Sequence, residues 1–96
     1  MATHNIPEQK RQAILDLAAT RGATNVRVFG SAARETSVDP NDLDLLVDME
    51  QGRSLLDLVG LWQDLEEMLH CPVDLVTEEG LSPYMRDRIL SEAVPL

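Results

Sequence analysis

Asp42 and Asp44, with Gly30-Ser31 ahead of them and Asp74 further on, are the residues of this chain whose types and spacing suit chemistry. In an extended strand alternate side chains share a face, so Asp42 and Asp44 project together while Leu43, Leu45 and Val47 pack on the other side. Two carboxylates one strand step apart repel each other unless a cation sits between them. Mg²⁺ takes one or two protein carboxylates together with substrate phosphate oxygens, so a phosphate site is expected nearby. Gly30-Ser31 supplies one. Gly30 ends a short apolar strand and has no Cβ to block backbone approach, and Ser31-Ala32-Ala33-Arg34 reads as the first turn of a short helix. The free N–H groups there, with the Ser31 hydroxyl, form an anion site. Asp74 interrupts the apolar run Val73-Asp74-Leu75-Val76 on the face opposite Val73 and Leu75. It is either an edge-strand carboxylate facing solvent or a third metal ligand beside the first two.

Other phosphate chemistries do not fit these residues. A Walker-type loop ends in Lys-Ser/Thr, and Gly30 to Arg34 contains no lysine. A dinucleotide fingerprint needs three spaced glycines where only one stands. An aspartate-nucleophile phosphatase would carry an apolar strand directly before the acidic pair, whereas Ser37-Val38-Asp39-Pro40-Asn41 precedes Asp42. The pair opens a strand instead.

The elements that must position these groups follow from periodicity. Pro7 fits the first turn of a helix running to about Arg21, with Ile14, Leu17, Ala18 and Arg21 on one face and Gly22 ending it. His4 lies outside it and is assigned no role. Asn25 to Phe29 is the first strand, with Val26 and Val28 on one side and Arg27 and Phe29 on the other. After the short helix, Glu35 to Asn41 has the composition of a loop. The second strand runs from Asp42 to about Asp48. Ser54 and Asp57 form a capping box for a helix to about His70, with an apolar stripe of Leu55, Leu58, Val59, Trp62, Leu65, Met68 and Leu69. Within that stripe Trp62 is packing rather than a base-stacking surface, and His70 suits the helix C-terminus. Pro72 to Val76 is the third strand. Ser82-Pro83 starts a last helix from Tyr84 to about Ala93. Its Arg86 and Arg88 either balance nearby carboxylates or reach phosphates or a partner.

The 96 residues are expected to form one domain with a modest core, leaving an acceptor substrate to bring its own surface. Seventeen acidic against eight basic residues give a net charge of −9, which disfavours a nucleic-acid partner. Cys71 is a single cysteine, so no internal disulfide forms, and it reads as packing. No apolar run has the length of a signal peptide or membrane span, and a cytoplasmic location is expected.

Gly30-Ser31, ten residues, then Asp42-Leu43-Asp44 is a pattern by which the chain resembles the nucleotidyltransferase superfamily that includes polymerase beta. It resembles most closely the minimal nucleotidyltransferase branch, whose members are antitoxins beside HEPN-domain toxins. The resemblance runs from about Val26 to the tail Ile89-Leu90-Ser91-Glu92-Ala93-Val94-Pro95-Leu96. It implies an α/β (α+β) fold, a small mixed sheet with flanking helices in the order α-β-α-β-α-β-α. It implies Asp74 as the third catalytic carboxylate with Asp42 and Asp44, and arginine at position 34, where Arg34 either binds phosphate or braces the loop. Asn41 stands where serine is common and keeps a small hydrogen-bonding side chain. The activity so implied is Mg²⁺-dependent transfer of AMP from ATP, with two metal ions, to a tyrosine of a HEPN ribonuclease. The alternatives are an antitoxin that acts by binding alone and nucleotidylation of a small molecule, the latter disfavoured by the lack of a pocket-forming domain.

Overall fold

The computed structural model describes residues 6–30 and 43–96. Ser31, Arg34 and Asp42, and the short helix and loop expected between Gly30 and the second strand, lie outside the described residues. Among those described, the order is α1 (Glu8–Thr20), β1 (Ala23–Phe29), β2 (Leu43–Met49), α2 (Leu55–Leu69), β3 (Val73–Thr77), α3 (Pro83–Glu92) and β4 (Val94–Pro95). The strands make one mixed sheet in the order β3-β2-β1-β4. β1 runs antiparallel to β2 and β4, while β2 and β3 are parallel and joined through α2.

The mixed α/β architecture is the expected one, and β4 is an addition to it. A strand of two residues is too short to show alternation, and the final helix was expected to continue to Ala93. That residue is already extended at φ −68° and ψ 137°, and Val94 then pairs with Val28. Pro95 is tolerated because β4 lies at the sheet edge, where a missing N–H breaks no ladder.

Local chemistry sets the helix ends. Pro7 precedes α1, and beyond its last turn Gly22 takes φ +76° to turn the chain into β1. At the start of α2, Asp57 accepts the Ser54 backbone N–H at 3.2 Å, one arm of the capping box. His70 closes the helix in the left-handed conformation, φ 56°. The apolar stripe of α2 differs from the one expected. Leu61 and Leu65 are the buried residues, flanked by Leu58, Met68 and Leu69, whereas Leu55 is 72% and Trp62 43% exposed. Apolar residues cover more than half the circumference of α2, so its period admits two neighbouring seams. Packing against the sheet selects the one through Leu61.

One face of the sheet carries the core. Ile14 and Ala18 of α1 and Leu61 and Leu65 of α2 pack in a cluster with Val26, Val28, Leu43, Leu45, Val47, Val73, Val94 and Leu96. Arg21, at the end of α1, reaches Asp64 of α2 at 3.1 Å and ties the two helices together. Strand parity sends Arg27, Phe29, Asp44, Leu46, Asp48 and Asp74 to the other face. There Arg27, only 12% exposed, bonds Asp48 at 3.0 Å and lies 3.8 Å from Glu78. The β1–β2 register shifts between Thr24 and Arg27, where Asn25 adopts φ 50° and its amide also bonds Asp48 at 3.0 Å. None of the described helices is long and apolar enough to cross a membrane.

Candidate active site

Asp44 is the second residue of β2 and Asp74 the second of β3, and the parallel register pairs them directly. Partners on neighbouring strands point to the same face, with the strands about 4.8 Å apart. Both carboxylates therefore leave the sheet side by side, on the face away from α1 and α2. Asp44 is half-buried and Asp74 exposed. Asp74 has the edge position of one sequence reading and the carboxylate neighbour of the other.

Gly30 comes to the same point because β1 is antiparallel to β2. Phe29 pairs with Asp44, so the next residue emerges at the end of the sheet where β2 and β3 begin. Gly30 has φ +69°, and a Cβ built on it would run into the Asp44 carboxylate. Only a residue without a side chain lets that carboxylate lie over the backbone. Gly30 donates its own N–H to Glu92 Oε1 at 3.2 Å.

α2 holds β3 in place beside this point. As an edge strand, β3 has backbone groups that β2 does not satisfy. At Val73 the N–H goes to Glu66 Oε2 at 2.9 Å, and the carbonyl accepts the Trp62 indole N–H. Both bonds fall on the residue just before Asp74. Sequence reasoning placed Trp62 in the packing and gave Glu66 no role. It also passed over Glu92. Bonds of this kind leave no periodic signal, although Glu92 lies within the tail that resembles the minimal branch.

The donor set is suited to a hard divalent cation. Two in-register carboxylates on one face set like charge side by side, and their oxygens are the ligands such an ion prefers. Among the described residues no group of three or more His, Cys, Asp or Glu is gathered for a metal. The described part of the expected triad is thus the pair Asp44 and Asp74, with Asp42 outside the described residues.

Other candidates lie elsewhere. Arg86 pairs with Glu78 at 2.8 Å, the balancing role foreseen as one of its alternatives. Both line a cavity of about 510 Å³ with Asp48, Arg53, Ser54 and Thr77. That cavity is at the far ends of β2 and β3 from Asp44 and Asp74. Most of its charges are matched, Arg53 lying 3.8 Å from Asp57 and Asp48 held by Arg27. It is therefore a poorer candidate for the chemistry than the carboxylate pair. Cys71 packs against the core.

A family model, nucleotidyltransferase domain, matches residues 9–96. A Methanocaldococcus jannaschii protein that bears the name of a protein adenylyltransferase is 43% identical over 90 residues, 94% of this chain and 96% of that protein. A solved minimal nucleotidyltransferase structure superposes with a TM-score of 0.79 at 50% identity, over 92% of this chain and 90% of that one. At 18% identity, where likeness speaks for the fold alone, the chain matches a complex of a Shewanella oneidensis MNT antitoxin with its tri-AMPylated HEPN toxin. The TM-score there is 0.70, with 92% of this chain and 69% of that chain covered.

Proposed function

The chain belongs to the nucleotidyltransferase domain family, and from that premise we propose that it transfers AMP from Mg²⁺-ATP to a tyrosine hydroxyl of a HEPN-domain ribonuclease, silencing it as an antitoxin. The observation that carries this reading is the in-register pair Asp44 and Asp74 against the backbone of Gly30. A pure binding surface has no need of two carboxylates set side by side. The protein-directed activity is supported by the name of the Methanocaldococcus relative, and the HEPN acceptor by the AMPylated partner in the Shewanella complex.

Asp42, Asp44 and Asp74 are the residues to hold the metal, which when bound neutralises charge building on the triphosphate and favours the ionised acceptor hydroxyl. Gly30 and Ser31 seat the β and γ phosphates, with Arg34 adding positive charge beside them. The missing side chain at Gly30 lets a phosphate and the Asp44 carboxylate approach the same stretch of backbone. The tyrosine oxygen forms a bond to the α-phosphorus as the bridging bond to the β-phosphate breaks. Its proton is lost to solvent, AMP remains on the tyrosine and pyrophosphate departs. With the acceptor on another protein, that protein supplies its own docking surface.

The test is to incubate the protein with ATP labelled at the α-phosphate, Mg²⁺ and the HEPN protein encoded beside it. The expected result is label on a tyrosine of that protein, lost with Asp42→Asn or Asp44→Asn and lost on chelation. A partner left unlabelled yet inhibited equally by wild type and by Asp44→Asn would show neutralisation by binding and end the enzymatic reading.

A further inference from the structure

We propose that Glu92 is a positioning residue of the phosphate turn, its carboxylate holding the Gly30 N–H so that the turn is set against Asp44 before nucleotide arrives. This rests on the transfer reaction proposed above. Its placement follows from strand register. Val94 pairs with Val28 in the antiparallel β1–β4 ladder, and counting outward from that pair brings residue 92 opposite residue 30. Glu92 is also the last residue of α3, so its backbone is held by a helix on one side and a strand on the other. The observed bond from Gly30 N–H to Glu92 Oε1, 3.2 Å and partly buried, is the result of that arrangement.

Gly30 needs such a hold. At φ +69° it occupies a region that glycine enters and leaves at little cost, so its own backbone does not fix that conformation. A phosphate site works by presenting its donors already aimed, and an N–H bonded to a carboxylate is held about twice as strongly as one bonded to a neutral acceptor. Glu92 uses the Gly30 N–H for this purpose. The same carboxylate brings a negative charge toward a triphosphate site. Anchoring and repulsion thus oppose each other, and the two can be separated by substitution. Glu92→Gln keeps an oxygen acceptor and removes the charge, Glu92→Ala removes both, and Glu92→Asp keeps the charge but shortens the reach by one methylene.

The measurements are hydrogen exchange of the Gly30 amide by NMR, and label transfer from α-labelled Mg²⁺-ATP to the neighbouring HEPN protein. The Gly30 amide is expected to be protected in wild type and Glu92→Gln, and to exchange freely in Glu92→Ala and Glu92→Asp. Transfer, as kcat/KM for ATP, is expected to fall by about tenfold in Glu92→Ala and Glu92→Asp and to return to within about threefold of wild type in Glu92→Gln. Circular dichroism identifies any variant that has lost its fold, in which case the remaining ones decide. Transfer in Glu92→Ala at the wild-type rate overturns the proposal, as does Glu92→Gln falling as far as Glu92→Ala. Faster transfer in both Glu92→Ala and Glu92→Gln also overturns it, since the carboxylate would then be a competitor of phosphate. An inactive wild type is a different failure, that of the transfer reaction. The anchoring bond then stands or falls on Gly30 amide protection alone.

Discussion

At the scale of single residues, Asp44 and Asp74 set two like charges side by side on one face of the sheet. Like charges paired across β2 and β3 repel each other, and replacing Asp44 by Asn lowers that repulsion while also weakening the contacts its carboxylate makes. The two effects oppose each other, and the unliganded Asp44→Asn protein is expected to melt close to the wild-type temperature. On the proposed reading Mg²⁺ would bind the folded site and not the unfolded chain, so it should raise the melting temperature of wild type and leave the variant unmoved. Transfer should fall by roughly 10²–10³ in the variant, the scale found for removing one electrostatic contact to a developing charge. A thermal melt with and without Mg²⁺, run beside the labelling reaction, checks both. A variant that Mg²⁺ stabilises as strongly as wild type would remove Asp44 from the metal site.

Between residues and the whole fold stands the grip of α2 on β3. Edge strands are the parts of a sheet most easily displaced, and β3 carries Asp74 there with Val73 tied on both backbone groups to Glu66 and Trp62. Trp62→Phe keeps an aromatic ring and removes the indole donor, leaving the Val73 carbonyl without that partner. Because Trp62 is 43% exposed, water can replace the bond, and the loss of stability should be only about 1 kcal/mol. The larger effect is expected on function. A loosened Val73 lets Asp74 drift from Asp44, so transfer should fall by about tenfold while urea denaturation shifts little. Equal, small effects on both would mean that the bond serves packing alone.

For the molecule as a whole, size sets the margin. A chain of 96 residues is held by about 5–14 kcal/mol. Its core lies almost entirely on one face, so β2 has two duties, with Leu43, Leu45 and Val47 in the cluster and Asp44 on the reverse. Leu45 is fully buried. Leu45→Ala should cost about 2–5 kcal/mol through lost burial and the cavity left behind, a large share of that margin. A urea titration should show a lower midpoint with an unchanged slope. The reverse face tolerates its charges because Arg27 is shared between Asp48 and Glu78.

The sequence by itself determined whatever repeats along a short stretch of chain. Alternation in Val26 to Phe29 and in Leu43 to Asp48 assigned each side chain to a face, Ser54 with Asp57 marked the start of α2, and Gly30 marked the end of a strand before a turn. These are properties of neighbours, and local sterics and hydrogen bonding express them wherever the segment lies. Three features were decided only by tertiary structure: the placement of Asp74 beside Asp44, the choice of Leu61 over Leu55 for the buried seam of α2, and the meeting of Glu92 with Gly30. Each depends on the register between segments far apart in the chain. Such a register is set by how two apolar surfaces fit and by which edge a strand joins, and neither leaves a mark in the spacing of residues along one segment.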